Sequence, residues 1–144
     1  MRLFTIGFTK KSAEEFFTIL QNADVNRIVD IRLNNTSQIA GFAKAKDLEY
    51  FLRAIAKIDY VHLPDFAPTQ EILDDFKNNK GLWAEYEHRF IDLMVERQIT
   101  ETAARLLQDR DCLLCSEHIP DHCHRRLVAE QIQKHSDNIE VIHL

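Results

Sequence analysis

The stretch CLLCSEHIPDHCHRRLVAEQI, residues 112–132, contains the unit from which the fold is predicted. Its first four residues form an unbroken apolar run, which is typical of a strand buried on both faces of a parallel sheet. A polar loop follows, and then Leu127, Val128 and Ile132 fall on one face of a helix. Asp121 is the expected N-cap of that helix. A buried strand, a loop and an amphipathic helix in this order predict one unit of an α/β protein.

The rest of the chain repeats this alternation. Four more short apolar runs predict strands: LFTIGF (3–8), RIVDIR (27–32), YVHL (60–63) and EVIHL (140–144). Helix-start signals lie between the runs, namely a capping box at Ser12 and Glu15, caps at Asp47, Thr69 and Thr100, and an aromatic helix from Trp83. We therefore predict a single α/β domain over residues 1–144. It should have a mainly parallel, Rossmann-like sheet of about five strands, helices on both faces and strand order 3-2-1-4-5.

Composition excludes several classes of protein. Hydrophobic residues make up 45% of the chain and charged residues 28%, as in soluble globular proteins, and no apolar run approaches the roughly 18 residues of a membrane span. Without a recognisable signal peptide, and with 3 cysteines, we expect a cytoplasmic protein with reduced thiols. The formal net charge of −5 argues against a general DNA-binding surface, although a local patch could bind one phosphate or a short nucleic acid. Oligomeric state is not predicted.

Polar residues follow several of the predicted strands. Ligands of open parallel sheets bind beyond the carboxyl ends of the strands, so we expect these residues to share a crevice. Gly7 follows the first strand and either permits a close backbone approach or forms a plain turn. Asp30 and Arg32 end the second strand on one face, either as an anion site or as a structural ion pair. Cys115 and Glu117 end the fourth strand.

The loop after Cys115 favours a reactive thiol. With a helix starting at Asp121, Cys123 and His124 are predicted to lie in its first turn, where free amides and the helix dipole favour a thiolate. Arg125 adds positive charge and could hold a phosphate there. On this hypothesis Cys123 is the nucleophile, and His124 and Glu117 carry protons. Alternatively, Cys123 is inert and buried. Cys115 either packs in the core or, if Glu117 brings the crevice to it, is a further catalytic candidate.

Two other interpretations of the loop remain open. A zinc site could use Cys115, His118, His122 and Cys123 as ligands. Against it, the consecutive residues 122–124 would point in different directions on the first turn of a helix. A redox pair of Cys115 and Cys123 is also conceivable, but their spacing is not that of a C-x-x-C motif.

The chain also resembles a known family, the domain of unknown function 488 family in its short-chain form. The matching stretches are TIGFT (5–9), VDIRLNNTSQIAGFAK (29–44), YVHLPDFAPT (60–69), WAEYEHRF (83–90) and LLCSEHIPDHCHRRLVAEQI (113–132). The resemblance implies an α/β fold with a Cys-His-Arg group near the strand ends, but no particular reaction. The positions it marks are Gly7, Asp30, Arg32, Ser37, Cys115, Glu117, Cys123, His124 and Arg125. Many members have an extra proline before the serine, where Asn35 and Thr36 stand here.

Together these observations predict a cysteine-dependent hydrolase or transferase without a resident cofactor. Its substrate would be a phosphate-bearing small molecule or nucleotide, with the anion held by Arg32, Ser37 and Arg125. One alternative is a nucleic-acid-processing module that binds in the same crevice without covalent chemistry. The other is a protein that binds zinc through its Cys/His cluster.

Overall fold

The computed structural model describes residues 1–36 and 40–144 and contains one five-stranded parallel sheet. The strands are β1 (Arg2–Gly7), β2 (Arg27–Asp30), β3 (Asp59–His62), β4 (Asp111–Cys115) and β5 (Glu140–His143). Each lies within one or two residues of a predicted apolar run, so the predicted strands and the parallel sheet are confirmed. None of the helices in the described residues is long and apolar enough to cross a membrane.

The predicted strand order is wrong at the centre of the sheet. The observed order is β3-β2-β4-β1-β5, so β4 lies between β1 and β2. Every residue of β4 is buried, whereas the edge strands β3 and β5 are only half-buried. Apolar content therefore separates edge from centre, but it does not separate β1 from β4. The true order places the end of β2 directly beside that of β4, where the Ile31 amide donates to the Leu114 carbonyl at 3.2 Å.

In the part of the chain that the structure describes, six α-helices cover both faces of the sheet, which confirms the Rossmann-like prediction. They are α1 (Ala13–Asn22), α2 (Ala45–Phe51), α3 (Gln70–Lys77), α4 (Trp83–Glu96), α5 (Ile99–Leu106) and α6 (His124–Lys134). Helix α2 continues as a wider turn through Leu52–Ala56. Helices α1 and α2 pack on one face of the sheet, in the layer that contains Leu114, and α3 to α6 pack on the other, in the layer that contains Leu113. These two neighbouring residues lie in different layers because side chains alternate between the faces of a strand.

The helix starts follow their side-chain caps where these form. Ser12 accepts from the Glu15 amide at 3.1 Å, and the Glu15 carboxylate accepts from the Ser12 amide, so the predicted capping box is confirmed. Thr69 caps α3 as predicted. Helix α2 begins at Ala45 rather than after Asp47, and α5 begins at Ile99, one residue before Thr100. Neither of those two starts has a capping side chain.

The start of α6 differs from the prediction in a way that affects function. Cys123, not Asp121, is its N-cap, with extended backbone at φ −132° and no capping hydrogen bond from the side chain. A turn precedes it, closed by the Cys123 amide donating to the Pro120 carbonyl at 3.2 Å. Asp121 lies within this turn, before the helix, and His124 is the first helical residue.

Candidate active site

A cavity of about 210 Å³ opens where β2 and β4 end, on the face covered by α3, α4 and α6. The loops after these strands, the start of α6 and one side of α3 and α4 form its walls. The lining residues are Arg32, Leu33, Asn34, Leu73, Phe76, Lys77, Tyr86, Cys115, Ser116, Glu117, His122, Cys123 and His124. The crevice expected at the strand ends therefore exists at β2 and β4, the two strands that the observed order makes neighbours.

Cys115 and His124 form a thiol–imidazole pair in the cavity wall. The sulfur of Cys115, a residue only 4% exposed, lies 3.3 Å from His124 Nδ1. The other ring nitrogen, Nε2, lies 2.7 Å from the Ile31 carbonyl oxygen. Because a carbonyl only accepts, Nε2 carries the hydrogen, and Nδ1 is left to take a proton from the thiol. Phe90 packs edge-on against the imidazole and fixes its plane.

The protonation of this group is set by mutual contacts. Burial raises the pKa of Cys115, but the hydrogen bond from Cys123 and the charge and hydrogen bond of His124 hold that pKa well below its ordinary value. Burial lowers the pKa of His124, but the Cys115 thiolate raises it above its ordinary value overall. A Cys115 thiolate beside a His124 imidazolium is therefore the favoured state.

Cys123 has the opposite tendency, which favours Cys115 over Cys123 as the thiolate. Burial and the hydrogen bond that it donates to Cys115 raise the pKa of Cys123 well above its ordinary value. Arg125 Nη1, 3.9 Å from the sulfur, lowers that pKa but does not outweigh them. One thiolate in a buried pair of sulfurs opposes ionisation of the second.

The predicted zinc ligands do not come together, but another set does. Within the described residues, one ligand atom each of Cys115, Cys123 and His124 lies within 4.8 Å of the others. His118 instead bonds the Thr9 carbonyl through Nδ1 at 3.0 Å, and the ring of His122 stacks on Trp83 at 4.8 Å. The three buried residues could hold a soft divalent metal such as zinc and leave a fourth position toward the cavity.

Asp30 and Arg32 form a bidentate pair behind the cavity. Arg32 Nε lies 2.8 Å from Asp30 Oδ1, and Nη2 lies 2.7 Å from Oδ2. Asp30 is fully buried and Arg32 is 3% exposed. The remaining guanidinium nitrogen, Nη1, is buried and has no hydrogen-bond partner among the described residues. The carboxylate thus orients the guanidinium, and one donor nitrogen is left over.

Tyr60 and Asn35 complete this network, and the sequence analysis did not identify them. The Tyr60 hydroxyl donates to Asp30 Oδ2 at 2.6 Å, and Asn35 Nδ2 donates to that hydroxyl oxygen at 3.2 Å. Burial and the Asp30 carboxylate raise the pKa of the Tyr60 hydroxyl. Strand pairing places Tyr60 near Asp30, since Tyr60 pairs with Ile28, two residues before Asp30. A single sequence does not contain that register.

Gly7 and Arg125 support the loop after β4 instead of binding an anion in the cavity. A Cβ atom on Gly7 would overlap the Glu117 carbonyl and the Arg125 guanidinium, so Gly7 permits a close backbone approach. Arg125 is fully buried, and its guanidinium donates to the carbonyls of Glu117 and His118. Neither residue lines the cavity. The predicted anion-binding role of Arg125 is therefore replaced by a positioning role, because backbone carbonyls already occupy two of its nitrogens.

The rim and walls of the cavity contain further residues with ionisable side chains. The Glu117 carboxylate is 46% exposed and lies 3.5 Å from Lys77 Nζ, so it is at the rim and not in the buried pair. Lys77 lies in the last turn of α3, and no sequence pattern had marked it as a site residue. Tyr86 is buried in the wall, where burial and the charge at Cys115 raise its pKa and keep the hydroxyl protonated. Ser37, a predicted anion ligand, lies outside the described residues.

Comparison with protein families gives one match. Residues 12–132 match the family described as Domain of unknown function DUF488. The matched range contains β2, β3, β4 and the start of α6, and so every described residue that lines the cavity. Comparisons with curated proteins and with solved structures each gave no match.

Proposed function

The chain belongs to the DUF488 family, and we propose that it is a cysteine-dependent hydrolase or transferase acting on a phosphate-bearing small molecule or nucleotide. One observation carries this proposal. Cys115 Sγ lies 3.3 Å from His124 Nδ1 in the wall of a cavity that Arg32 also lines. A thiol next to a properly oriented base is the minimum that nucleophilic catalysis requires.

The chemistry assigned to the pair is a two-step displacement. His124 takes the thiol proton of Cys115 at Nδ1, and the thiolate attacks the electrophilic atom of the substrate. As the new bond to sulfur forms, the leaving group departs with its bonding electrons and takes the proton from Nδ1. Water in a hydrolase, or an acceptor hydroxyl or amine in a transferase, then displaces Cys115 from the covalent intermediate. Cys123 donates a hydrogen bond to the thiolate while the site is free.

Arg32 is the proposed anchor for the anion. Its Nη1 is the unpartnered donor described above, and Asp30, Tyr60 and Asn35 hold the guanidinium plane. Charge-assisted hydrogen bonds from an oriented arginine suit phosphate oxygens. Lys77, at the rim, adds a second positive charge. Its ammonium group can leave the Glu117 carboxylate and pair with a bound anion instead. Ser37 remains a predicted contributor to this subsite.

The apolar part of the lining supports an aromatic or apolar portion of the substrate. Leu73, Phe76 and Tyr86 contribute this surface. His122, which stacks on Trp83, is exposed at the edge of the cavity. Aromatic side chains of this kind stack on planar ligands such as nucleobases. A nucleotide therefore fits this surface better than a purely polar sugar phosphate.

Competition between alkylation and anion binding tests the proposal. Iodoacetamide at neutral pH should label Cys115 faster than Cys112 or Cys123, and inorganic phosphate should slow this labelling, with adenosine 5′-monophosphate slowing it more. Arg32→Ala should remove the protection while the labelling continues, and Arg53→Ala, on the exposed surface, should change neither. Labelling of Cys115 at the rate of an unfolded cysteine, insensitive to both anions, would refute the proposal.

A metal centre is the second candidate, and a specific observation favours it. His124 donates from Nε2 to the Ile31 carbonyl, the second-sphere contact that metal-binding histidines usually make. The ligands would be Cys115, Cys123 and His124. Elemental analysis of protein purified without chelator decides between the two. One equivalent of zinc that protects Cys115 from iodoacetamide, and that Cys123→Ser loses, would favour the metal centre over the thiolate enzyme.

The nucleic-acid-binding alternative has less support. Arg32 and Lys77 line the cavity, and each of these two cationic side chains lies against a carboxylate. Such a pair of sites suits one terminal phosphate better than a strand of several phosphates.

The three cysteines are free thiols, which supports a reducing compartment such as the cytoplasm as the place of action.

A further inference from the structure

We propose that Cys115 is a site of reversible oxidation and that Cys123 is its resolving thiol, so that a hydroperoxide converts the two residues into a disulfide. The inference rests on the proposed function only for the assignment of Cys115 as the nucleophilic sulfur. It adds a modification that would switch the site off and restore it on reduction.

The two sulfurs are close together. They lie within 4.8 Å of each other in the wall of the same cavity. A disulfide requires a sulfur–sulfur distance of about 2.0 Å, so the atoms must approach by less than about 3 Å. Cys123 can supply this movement because it lies in extended backbone before the first turn of α6. Its side chain caps no amide of the helix, so rotation breaks no capping bond.

An oxidant that enters the cavity can reach Cys115 and Cys123 but not Cys112. Cys115 and Cys123 both line the open cavity, whereas Cys112 does not. Cys112 lies on the same strand but points into the layer under α1 and α2, where it is fully buried. Burial also raises the pKa of Cys112, which keeps it in the less reactive thiol form. Cys112 therefore serves as an internal reference for ordinary reactivity.

The chemistry balances with a hydroperoxide and a dithiol as co-reactants. The Cys115 thiolate attacks the distal oxygen of the hydroperoxide, the O–O bond breaks, and the alkoxide or hydroxide leaves and takes a proton. Cys115 is then a sulfenic acid. The Cys123 sulfur attacks the Cys115 sulfur, and the hydroxyl leaves as water with the Cys123 proton. A dithiol reductant returns both residues to thiols and becomes a disulfide itself.

Two consequences follow for the site. The disulfide removes the nucleophile because Cys115 no longer has a thiol, so reactivity toward electrophiles disappears while the bond persists. Capture by Cys123 also outcompetes further oxidation of the sulfenic acid to the irreversible sulfinic acid. Cys123 would then protect the nucleophile, a role that explains a second thiol in the wall of the same cavity.

Peptide mapping of the full chain after treatment with stoichiometric hydrogen peroxide tests the inference. No lysine or arginine lies between residues 111 and 124, so trypsin leaves all three cysteines on one peptide. Cleavage after Glu117 separates Cys123 from the other two. We expect a peroxide-treated protein in which Cys123 is joined to Cys115, Cys112 remains free, and dithiothreitol reverses the change. Cys112→Ser, the matched control, should form the same bond.

Cys123→Ser gives the contrasting outcome. In this variant excess hydrogen peroxide should add two oxygens to Cys115 as sulfinic acid, whereas the same excess should give only the disulfide in the unaltered protein. Equal formation of sulfinic acid in both proteins, or a bond to Cys112, would overturn the inference. Iodoacetamide labelling of a separate sample that has not been oxidised keeps the two proposals apart. Fast labelling of Cys115 without disulfide formation refutes only the resolving role, whereas slow labelling with disulfide formation refutes only the proposed function.

Discussion

His124 makes both of its ring contacts outside its own helix. Nδ1 faces Cys115 at the end of β4, and Nε2 donates to the carbonyl of Ile31 after β2. The sequence analysis identified His124 as a proton carrier but paired it with Cys123, its neighbour in the chain. The sulfur that it does contact belongs to Cys115, for which the sequence left core packing and a catalytic role both open. Proximity in sequence was thus misleading at the residue that matters most for the thiolate.

Replacing His124 by glutamine tests this pairing. Glutamine can still donate to the Ile31 carbonyl, but it cannot hold a proton for Cys115. The pKa of Cys115 should therefore rise, and labelling by iodoacetamide at pH 6 to 7 should slow by about tenfold for each unit of that rise. A pH profile of labelling measures the change. His135→Gln, an exposed histidine after the same helix, should leave the profile unchanged. An unaltered profile in His124→Gln would show that the imidazole does not stabilise the thiolate.

Gly7 offers a second test at this scale. Gly7→Ala places a methyl group against the Glu117 carbonyl and the Arg125 guanidinium, and such overpacking costs about 1–3 kcal/mol of unfolding free energy. Gly41→Ala is the matched control, because nothing lies within 4 Å of the added atom. That control should stay within about 0.5 kcal/mol of the parent. Urea unfolding measures both, and equal stability of the two variants would contradict the packing described here.

At the scale of elements, the structure depends on where helices begin. Helices α1 and α3 start at side chains that cap them, and both starts were predicted from local sequence. Helix α6 starts at Cys123 although Asp121, a better capping residue, is nearby. The Pro120 turn and the contacts of Arg125 with the Glu117 and His118 carbonyls place the start. Tertiary contacts thus override the local capping signal at the functional helix.

Two alanine substitutions distinguish the starts. Ser12→Ala removes the side-chain acceptor of the Glu15 amide and should reduce the unfolding free energy by about 1 kcal/mol. Asp121→Ala removes an exposed carboxylate that caps nothing in the structure and should change stability by less than about 0.5 kcal/mol. Denaturant titration of both variants gives the comparison. A larger loss in Asp121→Ala than in Ser12→Ala would mean that α6 is capped by Asp121 after all.

For the whole molecule, strand order is the decisive feature. With β4 between β1 and β2, the ends of β2 and β4 are neighbours, and Arg32, Cys115 and His124 meet around one cavity. In the predicted order, β1 would separate those two strands. The Ile31 contact with Leu114 and the His124 contact with Ile31 could not then form as they do.

Hydrogen exchange measures the same architecture. Amides of β4, paired on both sides and buried along its whole length, should exchange among the slowest in the protein. Amides of the edge strands β3 and β5 should exchange faster, since each pairs on one side only within the described sheet. Amide-resolved exchange under native conditions provides the test. Exchange of β4 as fast as that of β5 would contradict its central place.

The sequence by itself determined the strands, most of the helices, the parallel sheet and the cluster of reactive residues after β4. These follow from apolar periodicity, capping side chains and local composition, which act over a few neighbouring residues. Only the tertiary structure decided the strand order, the contact of His124 with Cys115, and the contacts of Arg125, Tyr60 and Lys77. The physical reason is that strand pairing, burial and charge–charge contacts join residues far apart in the chain, and pKa values depend on those contacts.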